Sequence, residues 1–176
     1  LTITASEKDK DHLEKVRLKL ESTKPLLYSD KTKSYRLIIN NKKICQDLMK
    51  FGVIPKKSLV VKFPDVPKKY LSDFIRGVID GDGIVRYVDR KRSPYFEITI
   101  SSGSKKFLDK LSEKISTIGV TTKIRKLKNT NTYILQYSCQ RGIKLAKWIY
   151  ENPTLYLSRK YEQFAKEQDV RGGGMS

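Results

Sequence analysis

Two stretches of this 176-residue chain run in parallel, and a chain that repeats itself has to fold as related units. At a shift of 95, LTITASEKDKDHLEKVRLKLES from Leu1 lies over FEITISSGSKKFLDKLSEKIST from Phe96. Ile3 falls on Ile98, Thr4 on Thr99, Leu13 on Leu108, Val16 on Leu111 and Leu20 on Ile115. Further on the shift grows to about 98, and Tyr35 falls on Tyr133 and Leu37 on Leu135. One short block could agree by chance. Agreement through strand, helix, strand and helix in the same order points to a duplication.

Each copy reads alike. Alternation predicts a first strand at Leu1–Ala5 or Tyr95–Ser101. Helical spacing then covers Lys8–Ser22 or Ser104–Ile118. Strands at Pro25–Ser29 and Ser34–Asn40 follow, or at Thr122–Lys128 and Thr132–Ser138, each pair joined by a polar turn. A short helix, Lys43–Phe51 or Gly142–Tyr150, closes the copy. The second copy alone is preceded by a helix from Lys68 and a strand at Ile84–Arg90. Residues 1–66 therefore read as a first half-domain without its leading helix and strand, and 67–167 as a second whose leading helix is 68–82. The tail 168–176, ending RGGGMS, reads as disordered or as a cloning remnant. The counterpart of Tyr70 to Tyr95 is missing before Leu1, and three accounts stand: a chain shortened by about 25 residues, a partner chain that supplies them, or a natural loss of activity.

Charge narrows the partner. With 37 Lys+Arg against 19 Asp+Glu the net charge is +18, which destabilises a compact fold by self-repulsion and is used against polyanions. Nucleic acid is the expected partner. No apolar run approaches the ~18 residues of a membrane span. Cys45 and Cys139 lie far apart, neither a zinc site nor a disulfide framework, which points to a reducing, intracellular setting. The single histidine, His12, sits in a polar helical pattern and offers little to general base catalysis.

The most chemical stretch is FIRGVIDGDGIV, Phe74–Val85. Its helix carries apolar residues at Tyr70, Leu71, Phe74, Ile75, Val78 and Ile79, more than one face needs, as for burial on several sides. Gly77 and Gly81 share a face, and small residues at that spacing admit a second helix backbone. Gly83 is expected to end the helix with a positive φ. Asp80 and Asp82 fall in the last turn, where the helix dipole disfavours anions unless a cation is near. A carboxylate there, paired with another, suits Mg²⁺, which keeps waters and binds phosphate oxygens. Taken alone, DGDG also reads as a solvated turn.

At this point the chain resembles a known family. IRGVIDGDG, Ile75–Gly83, is similar to the LAGLIDADG motif of homing endonucleases, matching at Gly77, Ile79, Asp80, Asp82 and Gly83, with Gly81 in place of Ala. The resemblance implies an α+β fold: a pseudo-symmetric duplication of an αββαββα half-domain whose mixed antiparallel sheets form a DNA-binding saddle. It implies site-specific, metal-dependent cleavage of both strands of DNA by Mg²⁺ or another divalent cation. Asp82 matches the metal ligand and catalytic acid, and the Gly81 carbonyl also faces the metal. Asp80, with Gly77 and Gly81, matches positions that serve helix packing. Lys57 and Lys160 occupy places where family members carry basic residues that tune the attacking water. The departure is that only one motif is present. A binding protein on the same scaffold, an RNA maturase with intron RNA as partner or a degenerate regulator, is the alternative. The resemblance also implies a monomer, unless a second chain supplies the missing helix, in an organelle or a phage or bacterial cytoplasm.

Alternation sorts the strand faces. Phe96, Ile98, Leu135 and Tyr137 must face the helices. Arg86, Val88, Arg90, Tyr95, Glu97 and Thr99 then face outward, with Lys123, Arg125, Thr132, Ile134 and Gln136. In the first copy Ser34, Arg36, Ile38 and Asn40 face out. Arg, Gln, Asn, Thr and Glu are the types that meet base edges in the major groove. Arg92, in the turn DRKRS, is placed to touch phosphate.

Overall fold

A computed structural model describes residues 1–52, 63–90 and 93–172; Lys57 and Arg92 lie outside the described residues. The chain divides into two compact units, Leu1–Lys50 and Phe51–Ser176. Among the described residues no helix is long and apolar enough to cross a membrane.

The first unit runs β1 (Thr2–Ser6), α1 (Lys10–Lys19), β2 (Leu27–Ser29), β3 (Ser34–Ile38) and α2 (Lys42–Lys50). Its antiparallel sheet has the order β1-β3-β2. Thr2 pairs with Ile38 and Leu27 with Arg36. The core is small: Leu13 of α1 meets Leu37 and Ile39, with Ile3, Val16 and Tyr35 packed around them. The helix expected from Lys8 begins as a 3-10 turn at Glu7–Asp9, because the Ser6 hydroxyl accepts from the Lys8 N–H and tightens the chain there.

The second unit is larger. It runs α3 (Leu71–Asp82), β4 (Gly83–Val88), β5 (Tyr95–Ser102), α4 (Lys105–Ser116), β6 (Arg125–Lys126), β7 (Tyr133–Ser138), α5 (Gln140–Ile149) and α6 (Ser158–Gly172). The sheet order is β4-β5-β7-β6, antiparallel throughout. The path β5-β7-β6 is the one that β1-β3-β2 takes in the first unit. Helices α3, α4 and α5 cover one face, burying Ile98, Ile100, Leu135 and Tyr137 against Ile75, Ile79, Leu108, Leu111 and Ile149. Each such side chain taken from water contributes about 1.5–3 kcal/mol. Burial also pushes the Tyr137 phenol up to about 12.

Several sequence expectations change. Residues 63–66 were assigned to the first half, yet Phe63 packs its ring on Phe74 and Phe107 at 5.1 and 5.8 Å, so it belongs to the second core. The tail expected from residue 168 is helical as far as Gly172, because α6 packs along β4 and buries Phe164. Among the described residues β6 shrinks to Arg125–Lys126, which leaves Lys123 before the strand and Thr132 in the turn. Arg90 and Asn40 likewise lie just past β4 and β3. Gly83 is extended, with φ −89 and ψ 163, not left-handed. It must be glycine for another reason: a Cβ there would lie 2.7 Å from the Ile79 carbonyl oxygen.

Candidate metal and nucleic-acid site

The motif helix α3 has two different sides. Leu71, Ile75 and Ile79 go into the core. Arg76 goes with them, 3% exposed, donating from Nε to the Leu155 carbonyl at 2.8 Å and from Nη1 to the Ile149 carbonyl at 2.6 Å. Its remaining nitrogen pairs with Asp73, one turn earlier. The opposite side carries Tyr70, Gly77 and Gly81, all exposed, and Asp82 is exposed at the very end of the helix. Among the described residues nothing comes within 4 Å of a Cβ built at Gly77 or Gly81. Phe74 and Val78 also pack against the core, so burial reaches well round the helix, as the apolar surplus led one to expect, and stops at the glycine strip.

The end of α3 is held by a cation. Lys160 of α6 is 4% exposed, and its Nζ donates to the carbonyls of Ile79, Asp80 and Gly83 at 2.7, 2.8 and 2.6 Å. An ammonium has three protons, and three acceptors surround this one. Its charge sits where the helix dipole is negative, which offsets the cost of two aspartates in the last turn. The geometry makes Lys160 a cap for α3, at the same helix end where its position led to the expectation of a water-tuning base. Asp80 completes the joint from the other direction: its Oδ2 accepts from the Leu157 N–H at 3.1 Å. Burial, and the nearby Asp80 carboxylate, push the Tyr150 phenol far up, so that ring stays neutral beside the joint. What is left pointing outward at this end is the Asp82 carboxylate. The Gly81 carbonyl is not among the three that Lys160 takes.

Among the described residues no group of three His, Cys, Asp or Glu side chains gathers as a metal cage. A magnesium site needs less: one or two carboxylates, with waters and substrate phosphates filling the rest. The exposed carboxylate of Asp82, beside a helix end that is otherwise locked, fits that requirement.

The outer sheet face carries the other candidates. Register sets Arg86 beside Glu97, Glu97 beside Ser138, and Thr99 beside Gln136. Arg86 is exposed, Val88, Tyr95, Thr99, Ile134 and Gln136 are half-buried, and Ile84 stands 57% exposed among them. Arg90 lies over the Tyr95 ring at 5.3 Å. Glu97 differs from expectation: it is on the outer face but only 3% exposed, because its neighbours fold over it. Burial opposes its ionisation, but hydrogen bonds from Gln136 and Arg86 outweigh that and hold its carboxyl below the usual range. In the first unit Arg36 and Asn40 are exposed and Ile38 half-buried, whereas Ser34 is buried, its hydroxyl 2.7 Å from that of Thr32. A cleft of about 530 Å³ beside the strand end, lined by Lys123, Arg125, Gln136 and Arg141, adds Arg141 to the basic residues that alternation identified.

Residues 69–152 match the family model described as the LAGLIDADG-like domain. That match lies wholly within the second unit. Solved structures extend the likeness in fold to nearly the whole chain. The I-LtrWI LAGLIDADG homing endonuclease bound to target DNA superposes with a TM-score of 0.63 at 13% identity, over 98% of this chain and 79% of that one. The LAGLIDADG meganuclease I-AabMI, bound to uncleaved DNA, gives 0.63 at 12% identity over 98% and 82%. I-GzeII in complex with its DNA target gives 0.60 at 9% identity over 98% and 81%. No curated protein matches the chain in sequence. Within the matched residues the stretch Ile75–Gly83 falls on α3 and its end, and the last turn of α3 carries Asp82.

Proposed function

We propose that this chain is a site-specific, metal-dependent DNA endonuclease that uses Asp82 to hold a divalent cation at a scissile phosphate. The observation that carries the reading is the end of α3: the carbonyls of Ile79, Asp80 and Gly83 are taken by Lys160 and the Asp80 carboxylate by the Leu157 N–H, while Asp82 itself is exposed. The net charge of +18 and the basic outer strands support duplex DNA as the partner. The DNA complexes of the similar solved structures support it too. Asp82, with the Gly81 carbonyl, would hold Mg²⁺; when bound, the ion supplies Lewis-acid stabilisation of the phosphate and activates water.

This chain's own groups then have separate tasks. Lys160 keeps the α3 end from fraying, which fixes the Asp82 carboxylate. Asp80 ties the helix to the segment before α6. The rows of the outer sheet meet base edges, and the surrounding lysines meet phosphate. Gly77 and Gly81 give a face on which a second motif helix could seat closely. Lys57 and Arg92, outside the described residues, remain proposed as a basic group at the site and as a phosphate contact.

A second reading, sequence-selective binding without double-strand cleavage (a maturase acting on intron RNA, or a regulator), rests on the same basic outer strand face, which binding alone would also use. One assay separates the two. Duplexes selected by the purified chain from a randomised pool are cloned into supercoiled plasmid and incubated with Mg²⁺, wild type beside Asp82→Asn. Linear product that disappears with Asp82→Asn and with chelator supports the nuclease. Nicking alone, or binding with intact plasmid, transfers the conclusion to the second reading.

A further inference from the structure

A chain of polar side chains crosses every strand of the second sheet on its outer face. It starts at Arg86 on β4, whose Nε and Nη2 both reach Oε1 of Glu97 on β5, at 3.0 and 2.7 Å. The other carboxylate oxygen, Oε2, accepts from Nε2 of Gln136 on β7 and from the Ser138 hydroxyl at 3.2 Å. The amide oxygen of Gln136 accepts in turn from Nη2 of Arg125 on β6. Thr99 adds a longer hydrogen bond to Oε1 at 3.4 Å.

The centre of this chain is unexpected on a face that meets a polyanion. A buried carboxylate is costly to desolvate and repels phosphate, so its presence calls for another use. Direct recognition of a base is a poor fit, since both oxygens already have donors and the side chain is shut away from solvent. Gln136 is similarly committed at both ends of its amide, which leaves it unsuited to bidentate contact with adenine. The two ends differ. The Arg86 side chain is 52% exposed, and its outer edge, Nη1 with the second proton of Nη2, points away from Glu97. Two parallel N–H bonds on a rigid fork match O6 and N7 of guanine.

Resting on the DNA-binding reading, we infer that Glu97 and Gln136 are positioning residues that hold Arg86 and Arg125 as two preorganised readers of guanine. The specificity of this face thus depends on a carboxylate that never touches DNA. Immobilising the arginines before binding removes the ordering cost that a free side chain would bring to the interface.

The test is selection of duplex oligonucleotides from a randomised pool by the full chain, by Arg86→Lys and by Glu97→Gln, with thermal melting followed in parallel. Arg86→Lys marks the position that Arg86 reads. The expected result is that Glu97→Gln lowers the guanine preference at that same position by about tenfold or more, with preferences elsewhere retained. An unchanged profile for Glu97→Gln overturns the inference. So does an equal loss at every position, or a loss of cytosine preference, which would make Glu97 a reader itself. If Glu97→Gln does not melt cooperatively, Gln136→Met tests the chain from its other end: guanine preference must fall at the position marked by Arg125→Lys, and an unchanged profile there overturns the proposal. If the wild type selects no duplex sequence at all, the DNA-binding reading fails first and this one with it.

Discussion

The two sides of α3 face opposite physical tasks. One side is sealed: Leu71, Ile75 and Ile79 are in the core, and Arg76 and Asp80, with Lys160, stitch the helix to the segment from Ile149 to Lys160. The other is open, with glycines where neighbours would approach and Asp82 at its end. The difference teaches how a carboxylate can be placed accurately on a surface. Rigidity comes from the sealed side, and the carboxylate at the helix end is left exposed.

That comparison can be broken in four ways. Lys160→Met removes the cation from three carbonyls that have little access to water. A loss of about 3 kcal/mol in urea denaturation is expected, since a buried acceptor left unmade costs ~1–3 kcal/mol. A loss below about 1 kcal/mol would mean the joint is not what holds α3. Gly83→Ala drives a Cβ onto the Ile79 carbonyl, and backbone cannot yield as a side-chain tip can. A loss of about 2 kcal/mol is expected by the same measurement.

Gly77→Ala should act with the opposite sign. On an open helical surface alanine replaces glycine with a gain of up to about 1 kcal/mol. A loss instead would reveal that another helix covers this side in solution, so thermal melting of this variant reads the state of the open face directly. The smallest stability effect belongs to Asp82→Asn, within about 0.5 kcal/mol of wild type, as for an exposed substitution with no buried partner. If that variant unfolds early, Asp82 is structural and the endonuclease reading loses its central residue. If it is stable and no longer cleaves, the division between the two sides holds.

Much of this was legible before any coordinates. The strand cores at Tyr95–Ser102 and Tyr133–Ser138, the helices at Lys105–Ser116 and Gln140–Ile149, and which strand residues face the helices follow from spacing along the chain. So does the motif helix with Asp82 at its end. These features depend on period, and period is a local property. Short elements were less legible: β6 keeps two residues where seven were expected, because the Thr122 hydroxyl takes the Gln136 carbonyl at one end and Thr130 takes up backbone groups at the other. Helix α6 was missed. Its apolar positions Tyr161 and Phe164 are few among charges, and it is α6 packing along β4 that gives them a place to go.

What the sequence by itself determined is therefore a basic chain with antiparallel strands, an apolar helix ending in two aspartates, and an outer strand face rich in Arg, Thr and Gln side chains. What only the tertiary structure decided is the work of individual polar groups. Lys160 reaches Ile79 across 81 residues, and Glu97 reaches Gln136 across 39. No periodicity carries such pairings. A buried charge takes whichever partners folding brings beside it, because leaving it unpaired costs more than most single contacts contribute.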